Sequence, residues 1–183
     1  MSPDLQDVLI DDLRYLHGTE EEQVRFLQAM AEAAAEPQLQ QAIRQHLEAT
    51  RGQLDRLNKI FESLDEKPEG ELPEAVQGLV NDAETMMGMD ADNEVIDLSI
   101  VEAGRKMEHY EVACYSAVRT MAQAMGMDDA VKLLDQTIRE EEAAERRLAQ
   151  VAEPILQRAV EAEEEVEAEE EEEEEEGGKT FTA

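Results

Sequence analysis

Six side chains in this 183-residue chain have the types and spacing to hold cations between helices: Glu20, His46, Glu108, Glu111, Glu141 and Glu145. Each acid falls where a helical repeat calls for an apolar residue. Glu20 interrupts the steps Leu13, Leu16, Val24, Leu27 and Ala31, and Glu111 interrupts Ile100, Met107, Cys114, Val118 and Met121, with Glu108 one turn earlier. Glu141 and Glu145 sit between Ile138 and Leu148, and His46 lies on the apolar side of its own segment. A buried carboxylate is costly unless it is paired, protonated or bound to metal. Oxygen-rich donors with one imidazole suit iron or manganese better than copper or isolated zinc. Two cations would also offset the mutual repulsion of the acids.

Each residue has a plainer reading beside this one. Glu20 belongs to the run Glu20-Glu21-Glu22 and Glu141 to Glu140-Glu141-Glu142, so a small rotation would put either in water. His46 alone reads as a hydrogen-bonded core histidine. A phosphotransfer role for it is disfavoured, because that chemistry needs an exposed histidine near Lys, and His46 lies on an apolar stripe beside Glu48. The methionines at 86, 87, 89, 107, 121, 125 and 127 read as packing. The Glu108 and Glu111 pair is the strongest signal, since apolar residues bracket it.

The elements that must position these residues are helices. Aromatics are 3 %, Trp is absent, and Ala, Glu, Leu, Gln, Met and Arg dominate, so helix propensity is high throughout. Ser2 and Pro3 predict the start of a first helix that runs to about Ala35, with Gly18 as its weak point. Pro37 opens a second, carrying Leu39, Ile43, Leu47, Leu54, Leu57, Phe61 and Leu64. A short connector helix follows Pro73. Asp92 and Asp128 are positioned to cap two more long helices, the first stopping at Gly126 and the second kinked or ended by Pro154. Four long helices with short links within each pair and one long middle connection predict an all-α, ferritin-like antiparallel four-helix bundle with a long helical crossover. With helix midpoints at about residues 19, 51, 108 and 141, the five acids share one layer to within about a turn, and His46 falls roughly 8 Å from it.

Charge narrows the partners. Residues 161–176 hold 13 Glu; without them and Lys179, residues 1–160 carry 34 acids against 15 Lys and Arg, a net of −19. Such a field repels nucleic acid and anionic lipid and attracts cations. The spread of acid also fits adaptation to high salt. One cysteine, Cys114, excludes an intrachain disulfide framework and a Cys-based zinc site. An acidic N-terminus without a basic-then-apolar leader, and no apolar run of membrane-spanning length, lead to a cytoplasmic expectation with no membrane contact. The bundle is expected over residues 1–153 and an acidic tail over 154–183, disordered across Glu169 to Glu176. The last residues, Gly177 to Ala183, resemble a tag that docks on a protein partner or shell, with the Glu run as spacer.

Several segments together resemble the YciE/YciF family of ferritin-like proteins. They are Leu27 to Ala34 (LQAMAEAA), His46-Leu47-Glu48 with Thr50, Ala75 to Val80 (AVQGLV), and above all Met107-Glu108-His109-Tyr110-Glu111-Val112-Ala113, close to that family's EHYEIA. The likeness spans about residues 3–153 in collinear order. It implies a homodimer of four-helix bundles, a dinuclear iron site and Fe(II) oxidation of a ferroxidase or peroxide-detoxifying type tied to stress. Glu20, Glu108, Glu111 and Glu141 match candidate ligands, and Glu145 replaces a usual Asp. In this assignment Glu20 and Glu141 are terminal ligands, Glu111 is the bridge, and His46, Glu108 and Glu145 complete the set. Two departures stand out. Ala49 takes the place of a carboxylate in the family's HLEET, which weakens or removes one metal position, and His17 stands where Tyr is usual. The rival class is a non-enzymatic stress or interaction module with a degenerate site.

Overall fold

The computed structural model describes the backbone of residues 3–179 and the side chains of residues 3–166. Five helices are present, α1 Leu5–Ala33, α2 Pro37–Ser63, α3 Glu74–Met87, α4 Asn93–Ala124 and α5 Asp128–Lys179, and no strand occurs among the described residues. Helices α1 and α2 form one hairpin and α4 and α5 another. Side-chain pairs fix the seams: Gln23 with Glu111 joins α1 to α4, and Arg56 with Thr137 joins α2 to α5. Neighbours are antiparallel around the ring α1, α2, α5, α4. The connection from α2 to α4 spans the bundle's length and carries α3 along α4. This is the expected bundle with a long crossover.

Local chemistry explains the ends. The cap of α1 is Asp4 rather than Ser2: Asp4 accepts from the backbone N–H groups of Gln6 and Asp7 at 2.9 and 3.0 Å, and Asp7 returns a bond from the Asp4 N–H. A reciprocal box satisfies two otherwise orphaned donors and is worth about 1 kcal/mol. The tight turn into α2 is held from across the bundle, where the Asp97 carboxylate accepts from Ala35 and Glu36 N–H at 2.8 Å each. Gly126 takes φ +72° to turn α4 into α5, a conformation a side chain resists. α5 does not end at Pro154, because its neighbour Ile155 is fully buried in the core and Arg158 reaches Glu36 at 2.6 Å. The expected disorder of Glu169 to Glu176 falls on residues whose side chains lie outside the description, and the tag ends there too, at residues 180–183.

Gly18 is a contact point rather than a weak point. The crossover backbone at Gly70 and Glu71 lies directly on α1, with the Glu71 N–H bonded to the Arg14 carbonyl at 3.1 Å, and a Cβ on Gly18 would sit 2.3 Å from the Glu71 carbonyl oxygen.

Two apolar clusters divide the interior. One holds Leu9, Leu13, Leu16, Leu57, Ile60, Phe61, Val118 and Leu134; the other holds Phe26, Leu27, Met30, Leu39, Ile43, Ile100, Met107, Leu148 and Ile155. Between them lies a layer of buried polar side chains.

Candidate metal centre

The middle layer is built by position on the helices. α1 supplies Glu20 and Gln23, α2 supplies His46 and Thr50, α4 supplies Glu108, Glu111 and Tyr115, and α5 supplies Glu141. Glu108 and Glu111, and likewise Glu20 and Gln23, are three residues apart on a helix, so both members of each pair face the same side. Four of the acids, Glu20, Glu108, Glu111 and Glu141, are 0 or 1 % exposed.

Their partners are few. His46 Nε2 lies 3.0 Å from Glu108 Oε1 and 3.6 Å from Glu141 Oε2. The three residues offer ligand atoms that all lie within 4.8 Å of one another. On the opposite side, Gln23 donates to Glu111 Oε2 at 2.9 Å and the Tyr115 hydroxyl donates to Glu20 Oε1. One oxygen each of Glu20 and Glu111, and both oxygens of Glu108 and Glu141, receive no donor. Among the described residues no Lys or Arg forms an ion pair with any of these four acids; Arg56 is taken by Glu140 and Arg105 by Glu145.

The electrostatics follow from that isolation. Desolvation pushes Glu108 up to about 8 and Glu111 up to about 7; at Glu108 a hydrogen bond with Glu141 works against the rise, and the charges of Glu111 and Glu145 add to it. Glu20 and Glu141 are held well above the usual carboxylate range, first by burial and then by the charge of Glu111. The Tyr115 phenol is pushed upward by burial and by Glu20. Without a cation, then, the layer holds protons at neutral pH. Orphaned carboxylate oxygens around one imidazole are the donor set a divalent cation takes, and the residues fit a metal site on that ground.

Five of the six sequence candidates meet here, and Glu145 does not. Glu145 is turned to the flank, where Arg105 donates to its Oε1 at 2.9 and 2.7 Å and His109 lies 3.7 Å away. The reason is helical phase. Four residues advance a helix by about 40° beyond a full turn, so with Glu141 facing the centre Glu145 faces its edge. His46 sits closer than its position in α2 implied. It reaches Glu108 and Glu141 because the helices are staggered and do not align at their midpoints.

Sequence reasoning missed Gln23 and Tyr115, both buried at 1 % exposure or less and both bonded to acids of the layer. Both are adjacent to residues placed on the stripe, Val24 and Cys114, which the structure leaves partly exposed. A signal was present: Gln23 lies three residues after Glu20, and Tyr115 four after Glu111. Ala49 lines an opening beside His46 and supplies no ligand. His17 lies outside the layer, buried against Phe61 with its Nε2 3.1 Å from Asn58 Oδ1.

No helix among the described residues is long and apolar enough to cross a membrane. Residues 4–161 match the family described as a domain of unknown function, DUF892. Protein YciF of Escherichia coli strain K12 is 34 % identical over 149 residues, which covers 81 % of this chain and 90 % of that protein. The crystal structure of the E. coli stress protein YciF superposes with a TM-score of 0.81 at 33 % identity, covering 86 % of this chain and 99 % of that one. The YcfI protein of Rhodopseudomonas palustris gives 0.78 at 35 % identity over 80 % of this chain and 94 % of its own. The chain therefore belongs to the DUF892 family and is a relative of YciF.

Proposed function

We propose that the middle layer binds a pair of iron ions and oxidises Fe(II). The observation that carries this reading is the set of four buried carboxylates with orphaned oxygens and no Lys or Arg partner around His46. In the reaction two Fe(II) ions each lose one electron to dioxygen, which takes up two protons and leaves as hydrogen peroxide. His46, Glu108 and Glu141 would hold one ion. Glu111, whose charge acts on both Glu20 and Glu141, is suited to bridge toward a second ion held with Glu20. Gln23 and Tyr115 keep one oxygen each of Glu111 and Glu20 in place, which leaves the other oxygen free for a cation. The raised proton affinities of the acids mean that cation uptake releases protons into the site, where peroxide formation consumes them. The same donor set accepts manganese. The E. coli relative is described as a stress protein, which is compatible with a role for such chemistry under stress.

The test is elemental analysis of protein purified without chelator, followed by anaerobic Fe(II) addition and admission of air. Rapid oxidation in the wild type, lost in Glu111→Ala, is the expected result; equal rates in the two proteins reject the reading. A second reading, a stress or interaction module with a degenerate site, draws on Ala49, which leaves α2 with one ligand. It requires that a chelator leave the melting temperature unchanged.

A further inference from the structure

Beside the acid layer lies a cavity of about 170 Å³ between α2 and α5. It exists because Ala42, Ala49, Ala143 and Ala144 face the seam where longer side chains would close it. Leu27 and Leu148 of one apolar cluster form its floor, and His46 forms part of its wall. His46 is 8 % exposed while the four central acids are at 0 or 1 %, so the imidazole is the part of the site that this opening reaches.

The charged groups at the mouth are already engaged. Arg147 donates to Gln45, and Glu140 accepts from Arg56 and, at 2.9 Å, from Gln136. A cation entering here meets no free acid before the imidazole. An anion would give up its hydration against a mainly apolar lining. An uncharged guest faces neither cost. The cavity opens to solvent past Gln45, Ala143 and Arg147, but its inner wall of Leu27, Met30, Ile43 and Leu148 is apolar. Its volume is close to that of cavities that take up benzene or xenon, which sets the size and polarity of the guest.

We propose that the cavity between α2 and α5 binds a small uncharged apolar molecule against His46, and that dioxygen is the guest the protein uses. The identity of the gas rests on the iron-oxidation reading; the preference for a small apolar guest rests on the cavity alone.

Xenon is the probe, applied to the full chain in pressurised crystals or followed by xenon NMR. Ala49→Leu fills the seam from α2 and Ala144→Leu fills it from α5. Both positions are partly exposed, so the longer side chain has room, and melting curves establish that each variant is folded. Xenon beside His46 in the wild type and absent from both variants is the expected result. Anaerobic Fe(II) uptake should be unchanged in the variants, and oxidation by dioxygen slowed on the order of tenfold. No xenon at this place in the wild type overturns the proposal. Xenon lost from the variants with oxidation rates within about twofold of wild type overturns the assignment to dioxygen. A wild type that takes xenon but binds no metal supports the apolar guest site and sinks the iron reading instead.

Discussion

The two ends of the bundle and its middle are made from the same four helices, and they place opposite demands on stability. At the ends, side chains such as Leu9, Leu16, Phe61, Met30, Leu39 and Ile100 are buried at 0 to 2 % exposure against one another, and their removal from water drives folding. In the middle, Glu20, Glu108, Glu111 and Glu141 are just as deeply buried with no Lys or Arg partner and only His46 beside Glu108 and Glu141, and each lost its hydration to get there. The ends explain why the chain folds. The middle works against folding, which marks it as a place kept for binding.

That contrast is most sharply broken by substitutions of opposite sign. Phe61→Ala empties a fully buried site among Leu9, Leu57 and Leu134 and should lower stability by about 3–5 kcal/mol in chemical denaturation. Glu141→Met, at a buried carboxyl with no Lys or Arg partner, should raise the stability of the chelated protein at pH 8 by roughly 1–3 kcal/mol. The same variant should lose the extra stability that added metal confers on the wild type. Were Glu141→Met to destabilise the chelated protein as Phe61→Ala does, the middle would be a structural network and the contrast would fail.

The ends were also the legible part of the molecule. Helix content, the Pro37 start, the crossover and most core residues follow from a 3.6-residue period, which the sequence carries over whole helices. The middle was legible in kind but not in phase. Glu20, Glu108, Glu111 and Glu141 stand out as acids on apolar stripes, yet Val24 and Cys114 were read onto faces that Gln23 and Tyr115 occupy. A single step along a helix is about 100°, and a stripe of mixed Ala, Val and Met leaves its centre uncertain by about half of that. The Arg105 bond to Glu145 and the stagger that brings His46 to Glu108 depend on how helices pack, which no one helix encodes.

A smaller effect comes from pH. Glu108 and Glu111 bind protons in the folded state up to about 8 and 7, against 4.5 for a glutamate in the unfolded chain. Between those values the folded state holds protons that the unfolded state has released, so the stabilisation is complete below about 4.5 and is lost as pH rises through 7 and 8. The chelated protein should therefore melt at progressively lower temperature from pH 6 to pH 8, and the slope should flatten in Glu108→Gln. Metal-loaded protein should show the reverse trend, since cations bind the deprotonated acids and displace their protons. A pH-independent melting temperature in the chelated wild type would mean that the acids are solvated, and the middle would no longer differ from the surface.

The smallest effect locates the edge of the middle layer. Glu145 has Arg105 at 2.7 Å and 17 % of its side chain in water, so it keeps a partner the four central acids lack. Arg105→Gln should cost about 0–1 kcal/mol, the usual worth of a partly exposed pair. A carboxylate already matched by a fixed guanidinium gains less from a cation than one with orphaned oxygens. Glu145→Gln should accordingly leave metal content by elemental analysis at the wild-type level, whereas Glu141→Gln should lower it. If Glu145→Gln lowers it equally, Glu145 swings from Arg105 toward His46 and Glu108 when metal arrives. The acid layer then extends one turn further along α5, and the guanidinium acts as a resting place for a ligand.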